Sequence, residues 1–295
     1  VIGPTASGKS ALAMALAQRL GGEILSIDSM QVYRGMDIGT AKPTPQEQAQ
    51  VRHHGIDLVE PSESFTVARY LECADAVIAD ARARRVPLII AGGTPLYFKA
   101  LFEGLFDAPE IDPALRERIA NRSSEELHAK LIEIDPQASQ RIHPNDRKRL
   151  IRAVEVFEST GRAITDLQRE WGAQRRYEPV WIGLRWDRDA LNRRINARVK
   201  QMMLDGWLDE VRTLLARHGT LSRTAGEAAG YADLVAHLQG RCTLDEAVEQ
   251  IKIGTRQLAR RQVKWFRRFE GVRWLDGPIE SMDSAVDAIV GSIRA

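Results

Sequence analysis

Apolar positions in the first third of the chain switch between two periods, and the switching predicts strands interleaved with helices. Residues 11–20 are strong helix formers closed by Gly21-Gly22, where a glycine can adopt the left-handed conformation that ends a helix. Glu23–Ile27 then reads as a short strand that stops at Asp28-Ser29. Residues 68–85 set Leu71, Ala74, Val77, Ile78 and Ala81 at helical spacing. Residues 86–90 form a continuous apolar run, the pattern of a strand covered on both faces, and Gly92-Gly93 is expected to end it. Only Val1-Ile2 precede the first glycine, so the numbering is expected to begin inside the first strand of a longer chain.

Beyond Phe106 the pattern is helical, with Pro, Asn and Asp punctuation and no convincing strand as far as Trp171. Helix starts are predicted at Asp112-Pro113, at Ser123-Ser124-Glu125-Glu126 and at Asn145-Asp146; Gly161 stops the helix carrying Leu150, Val154 and Phe157. Residues 180–184 return as a strand, and Asp187 caps a helix with Leu191, Ile195, Val199 and Met202 inward. A strand at 272–275 and a final helix complete the chain. The expected fold class is therefore α/β: a P-loop NTPase-like parallel sheet core (1–107 and 178–295) with an all-helical insertion domain (108–177). In such sheets ligands gather at the carboxyl ends of the strands, so Asp28, Thr94 and the segment after Ile2 should share one crevice.

Composition narrows the class. With 44% hydrophobic and 28% charged residues and no apolar run near the roughly 18 residues of a membrane span, the chain reads as globular, with no membrane partner and no visible leader. Cys73 and Cys242 stand far apart at no metal spacing, as expected for small buried side chains in a reducing cytoplasm. His53-His54 lack a third ligand at metal spacing and are expected to pack locally. The net charge of +2 conceals segregation: residues 21–80 carry 4 basic against 10 acidic side chains, residues 141–200 carry 15 against 8, and residues 251–270 carry 7 against 1. Basic segments set apart from an acidic one point to a polyanionic partner.

Gly3-Pro4-Thr5-Ala6-Ser7-Gly8-Lys9-Ser10 fits G-x-x-x-x-G-K-[ST] and opens the first helix. Its glycines let successive N–H groups turn inward onto phosphate oxygens, Lys9 adds a mobile positive charge, Ser10 can ligate Mg²⁺, and the helix presents the positive end of its dipole. A diphosphate is the group this loop recognises. Phosphoryl transfer from ATP would normally need an Asp at the end of a hydrophobic strand, yet the 86–90 strand runs into Ala91-Gly92-Gly93-Thr94. Asp28 is thereby free to take a proton from an incoming nucleophile, although capping the next segment or holding a Mg²⁺-bound water are alternative roles.

Several blocks together resemble the bacterial tRNA dimethylallyltransferases: the phosphate loop, Asp28-Ser29-Met30-Gln31-Val32-Tyr33-Arg34-Gly35-Met36-Asp37-Ile38-Gly39-Thr40-Ala41-Lys42-Pro43, Gly92-Gly93-Thr94-Pro95-Leu96-Tyr97, Ile142-His143-Pro144-Asn145-Asp146 and Arg256-Gln257-Leu258-Ala259-Arg260-Arg261-Gln262. The resemblance runs in order from Gly3 to about Gly277. It implies transfer of a dimethylallyl group from dimethylallyl diphosphate to the exocyclic amine of the adenosine 3′ of a tRNA anticodon, with Mg²⁺ as cofactor. It makes Asp28 the general base, with Thr94 and Lys9 beside it, and residues 108–177 a clamp on the anticodon stem. Together with the basic segments, this makes Asp28, Ser29, Met30, Gln31, Thr94, Arg116, Lys148, Arg149, Arg152, Arg194, Gly230, Tyr231, Arg260, Arg261, Gln262, Lys264 and Arg267 the expected tRNA contacts. Arg198, one turn from Arg194, joins the basic set; Ala232 departs from the family pattern, in which a basic residue often follows Gly-Tyr.

Trp265, Phe266 and Phe269 are expected in the core rather than as stacking platforms. Three other functions remain open at this level: prenylation of free adenine nucleotides, a P-loop small-molecule kinase, and an RNA-binding ATPase switch. A monomer is the simplest expected state.

Overall fold

The computed structural model describes residues 1–104, 112–170 and 176–294. Two compact units emerge, Val1–Phe98 with Pro179–Ala295, and Lys99–Glu178. The sequence places the boundary at 107/108, which lies outside the described residues; the division falls earlier, inside a helix.

The first unit begins with α1 (Lys9–Leu20), β1 (Glu23–Ile27), α2 (Pro45–Gln50), β2 (His53–His54), α3 (Val67–Ala83), β3 (Leu88–Gly92) and the start of α4 (Pro95–Glu103). The second unit holds α5 (Pro113–Ala120), α6 (Ser124–Ile134), α7 (Pro136–Arg141), α8 (Arg147–Thr160) and α9 (Ile164–Glu170). The chain returns to the first unit with β4 (Ile182–Arg185), α10 (Arg188–Leu204), α11 (Trp207–His218), α12 (Arg223–Gly226), α13 (Tyr231–Leu238), α14 (Leu244–Phe266), β5 (Arg273–Asp276) and α15 (Met282–Arg294).

Among the described residues every strand pairing is parallel: β1 lies between β2 and β3, and β4 pairs with β5. Ile2 bridges to Gly92 on one side and Gly183 on the other, bringing the two sheets together around the start of the chain. All five residues of β1 are buried, which explains their near-continuous apolar pattern. The third strand begins two residues later than the 86–90 run and includes the glycine expected to stop it. Gly92 pairs with Ile27, and a Cβ there would stand 2.0 Å from the Ile27 carbonyl oxygen, so only glycine fits the strand's last position. Pro87, lacking an N–H, contributes just its carbonyl, which accepts from Glu23 N at 2.9 Å. The main core packs Leu12, Leu16, Ile24, Ile89, Ile182, Leu184, Val286 and Ile289 between α1, the strands and α15.

The helical unit closes its own core around Leu127, Leu131, Leu150, Val154 and Ile164. Asp135, 3% exposed, ties it together by accepting from Ala138 N (2.9 Å), Thr165 N (2.9 Å) and the Thr165 hydroxyl (2.8 Å). The predicted starts at Asp112, Ser123 and Asp146 are all side-chain caps, and Gly161 ends α8 with φ 69°.

At the amino end of β1, Glu23 receives both guanidinium nitrogens of Arg84 at 2.8 Å and contacts His54 Nε2 at 2.7 Å. These bonds, Arg84 first, hold its carboxyl down from the ordinary 4.5 to about 2. A depressed carboxylate stabilises the fold fully above its unfolded value and loses that contribution as pH falls through its folded one. Glu23→Gln should therefore destabilise the protein by about 2 kcal/mol at pH 7. Chemical denaturation from pH 7 down to 2.5 checks this, with the gap between the two proteins narrowing below about pH 4.5.

Candidate active site

The loop at residues 3–10 is held from outside by the side chains of Trp186, Arg194 and Gln262. Gly8 caps α1 with φ 95° and no side-chain capping bond, leaving first-turn amides for a ligand. Ala6 sits in the left-handed region at φ 61°, unfavourable for a residue with a Cβ unless its surroundings enforce it. Arg194 Nε donates to Ala6 O and Trp186 Nε1 to Ser7 O, both at 2.9 Å, while Gln262 Oε1 accepts from Thr5 N at 2.8 Å. The Arg194 guanidinium lies over the Trp186 ring, 4.4 Å from its centroid. A trans peptide points its C=O and N–H in opposite directions, so drawing Ser7 O towards Trp186 turns the Gly8 N–H away from it.

Thr5, Ala6, Lys9 and Ser10 line one cavity with Asp28, Met30, Gln31, Arg198 and Gln262. Asp28 leaves the end of β1, and its Oδ1 accepts from Met30 N at 2.9 Å. Thr94, beyond the end of β3, is bound into the same turn: its hydroxyl oxygen accepts from Ser29 N at 3.1 Å. Asp28 and Thr94 thus meet because their parallel strands pair in register up to Ile27 and Gly92. Burial lowers the Lys9 pKa to about 8, with Arg198 adding to the effect and Asp28 opposing it. Burial likewise pushes Arg198 down, against the attraction of Asp28. Among the described residues no group of three His, Cys, Asp or Glu side chains could hold a metal ion. Ser10 and the carboxylates of Asp28 and Glu47 line the cavity, Glu47 being engaged in capping α2 through Thr44, and Mg²⁺ commonly completes its shell with water and phosphate oxygens.

The segment from Asp28 to Pro43 is bound by side chains far away in sequence. Glu210 accepts from the backbone N–H groups of Asp37 (2.9 Å), Ile38 (2.7 Å) and Gly39 (3.4 Å) and from the Tyr231 hydroxyl (2.6 Å). A Cβ on Gly39 would lie 2.2 Å from Trp207 Nε1, and one on Gly230 would lie 2.3 Å from the same indole. Lys42, buried, donates to Tyr33 O, Asp37 and Asp57. Gln31 spends its side chain on Ser26 Oγ and on the Thr40 and Ala41 carbonyls.

Several residues expected to touch nucleic acid are engaged internally. Tyr231 is fully buried against Trp207, and Gly230 is the φ 90° cap of α13. Gln262 is 7% exposed with both ends of its amide bonded, to Thr5 N and to Gly93 O at 2.6 Å. Arg194 supports the phosphate loop. Arg198 lines the cavity together with Lys9; its place three residues after Ile195 and four before Met202, on the rim of the buried face, is the signal that could have shown this. In the helical unit Arg116 forms a two-pronged pair with Glu155 (2.8 and 3.3 Å), Arg152 approaches the same carboxylate at 3.6 Å, and Arg149 pairs with Asp146 at 3.3 Å. Lys148 is exposed on α8. Arg260, Arg261, Lys264 and Arg267 stand exposed at the end of α14, and no ion pair among the described residues joins them to an acid. Phe266 and Phe269 pack edge-on with Phe98 and Trp181 in an aromatic cluster. Glu210, Trp186 and Lys42 escaped sequence reading, their partners being distant or ordinary backbone.

Residues 31–269 match the family model described as IPP transferase. The chain is 48% identical over 286 residues to a tRNA dimethylallyltransferase of Anaeromyxobacter dehalogenans, covering 95% of each protein. It is 47% identical to a tRNA dimethylallyltransferase of Symbiobacterium thermophilum, covering 100% of this chain and 94% of that one. Among solved structures it resembles a full-length tRNA isopentenylpyrophosphate transferase from Bacillus halodurans (38% identity, TM-score 0.74, 99% of this chain and 94% of that one). It also resembles a eukaryotic dimethylallyltransferase described as acting on tRNA (26% identity, TM-score 0.83, 99% of this chain and 78% of that one).

Because Lys9 in the free protein carries its charge only below about pH 8, pyrophosphate affinity should fall as pH rises through that value. Calorimetric titration of pyrophosphate between pH 6.5 and 9.5 measures it, and Lys9→Arg, whose charge does not titrate there, isolates the contribution of Lys9 by flattening this part of the profile.

Proposed function

The chain belongs to the IPP transferase family, and from this we infer that it is an enzyme transferring a dimethylallyl group to tRNA. We propose dimethylallyl diphosphate as the donor and the exocyclic N6 amine of the adenosine next to the anticodon, on its 3′ side, as the acceptor. The observation that carries this reading is the meeting of the Lys9 loop and Asp28 at one cavity, with Thr94 bonded to Ser29 directly beside Asp28. A P-loop NTPase-like core is supported by the bridges from Ile2 to Gly92 and Gly183, which put the loop at the centre of the parallel sheets.

Transfer breaks the bond between the allylic carbon and a diphosphate oxygen, forms a carbon–nitrogen bond, and releases one proton from the amine. The departing diphosphate gathers negative charge, which the free amides after Gly8, Lys9 and Arg198 are placed to receive; each such donor contributes on the order of 3 kcal/mol. Ser10 would hold Mg²⁺, which when bound supplies further neutralisation of the diphosphate. Asp28 takes the amine proton, and its bond to Met30 N fixes the carboxylate's direction. Thr94, anchored on Ser29, orients the acceptor. An adenosine in an anticodon loop must leave its stack to arrive there, at a cost of a few kcal/mol that phosphate contacts offset. The exposed cations at the end of α14 suit that role.

Offering AMP and an anticodon stem-loop in parallel with dimethylallyl diphosphate tests the acceptor: product forms on the stem-loop, and product on AMP alone would overturn the reading. Asp28→Asn should lower kcat by about 10²–10⁴-fold with stem-loop affinity nearly unchanged, as measured by single-turnover kinetics beside equilibrium binding. Replacing Arg260 and Lys264 together by Ala should weaken stem-loop binding and flatten its log–log salt dependence by about 1.5, read from affinities at several salt concentrations.

A further inference from the structure

Gln262 joins the two loops on which the proposed reaction depends. Its Oε1 accepts from Thr5 N in the phosphate loop at 2.8 Å, and its Nε2 donates to Gly93 O, in the turn before Thr94, at 2.6 Å. The side chain is 7% exposed, and a Cβ on Gly93 would come within 2.6 Å of Nε2 and 3.5 Å of Lys9 Nζ, so the contact leaves no slack. The Gly93–Thr94 peptide is gripped on both sides: its carbonyl by Gln262 and its N–H by Ile27 O at 3.4 Å. From Thr94 the chain of bonds continues to Ser29, beside Asp28.

The phosphate loop has two other external supports, Arg194 and Trp186. The carbonyl of Gly93 accepts its bond from Gln262. A primary amide is suited to this place because it offers one acceptor and one donor in a single rigid plane.

We propose that Gln262 is a positioning residue that sets the distance between the leaving-group subsite and the acceptor subsite, so that losing it lowers turnover more than it lowers affinity for either substrate. The inference rests on the transferase reading given above. Each substrate keeps its own contacts: the diphosphate on the α1 amides, Lys9 and Arg198, and the RNA on the exposed cations. What is lost is their alignment, on which an in-line transfer depends steeply.

The decisive variant is Gln262→Glu. As a carboxylate it still accepts from Thr5 N but turns a lone pair towards Gly93 O. Once protonated, its O–H donates to Gly93 O and its carbonyl accepts from Thr5 N, restoring the original pattern; burial favours the neutral form, while the cations of Lys9 and Arg198 lining the same cavity favour the carboxylate. The measurements are kcat from pH 6 to 8.5, expressed as a fraction of wild type at each pH, together with stem-loop and pyrophosphate affinities. The expected result is a kcat lowered about tenfold or more at pH 8, both affinities within about threefold of wild type, and relative kcat recovering as pH falls. Gln262→Met, similar in length and unable to titrate, should show the loss without the recovery.

Wild-type turnover by Gln262→Glu at pH 8, or no recovery at pH 6 in a folded variant, would overturn the inference. Parallel loss of both affinities along with thermal stability would overturn it too, reducing Gln262 to a packing contact. A wild-type protein inactive on every acceptor would refute the transferase reading itself, an outcome separate from any behaviour of the variants.

Discussion

An anion-binding loop functions only while its amides stay turned towards the ligand, and a loop on its own has no reason to keep them there. Peptide geometry makes the orientation a two-sided matter: every N–H aimed inward leaves a carbonyl aimed outward that needs a partner. Here the partners come from Trp186, before α10, and from Arg194 on α10, while Gln262 on α14 takes the Thr5 N–H. These elements lie well over a hundred residues from the loop they support. The strained left-handed backbone of Ala6 is a local cost that this external bonding offsets. The rest of the site is arranged around the loop through the parallel pairing of β1 with β3, which brings Asp28 and Thr94 to one edge.

How much of this is visible in the residues themselves depends on distance along the chain. The phosphate loop, the strand-end positions of Asp28 and Thr94, and the caps at Asp112, Ser123, Asp146 and Asp187 are local patterns, and the structure contains the corresponding elements. The 86–90 run stops two residues short of the end of β3 because a glycine reads as a terminator. Gly92 instead occupies a strand position where a neighbouring carbonyl excludes any side chain. Glu210 has no signature of its own: an acidic residue in the first turn of a helix is ordinary, and its three amide partners lie over 170 residues earlier.

Charge was the weakest guide to individual residues. A cationic stretch of sequence states how many basic groups are present and not which way each one faces. Arg116 and Arg152 turn to a nearly inaccessible Glu155, Arg194 turns to a backbone carbonyl, and Arg198 turns into the cavity. The cluster at the end of α14 is different, since Arg260, Arg261, Lys264 and Arg267 stay exposed while the neighbouring Ala259, Gln262 and Phe266 are buried. Helical periodicity separates the two sets once the buried face is known, and Gln262 belongs to the inner one.

The indole of Trp207 fills the space that side chains at Gly39 and Gly230 would need. This wall of the cavity therefore resists exploration by single amino-acid changes, because any larger residue at either glycine collides with a ring that cannot retreat. Remodelling it requires simultaneous replacement of the tryptophan by something smaller, which also removes the edge-on partner of Tyr231. Directed evolution of this region is thus a problem of coordinated multi-site libraries, and one-at-a-time mutational scans will misread a mutually constrained trio as three immutable positions.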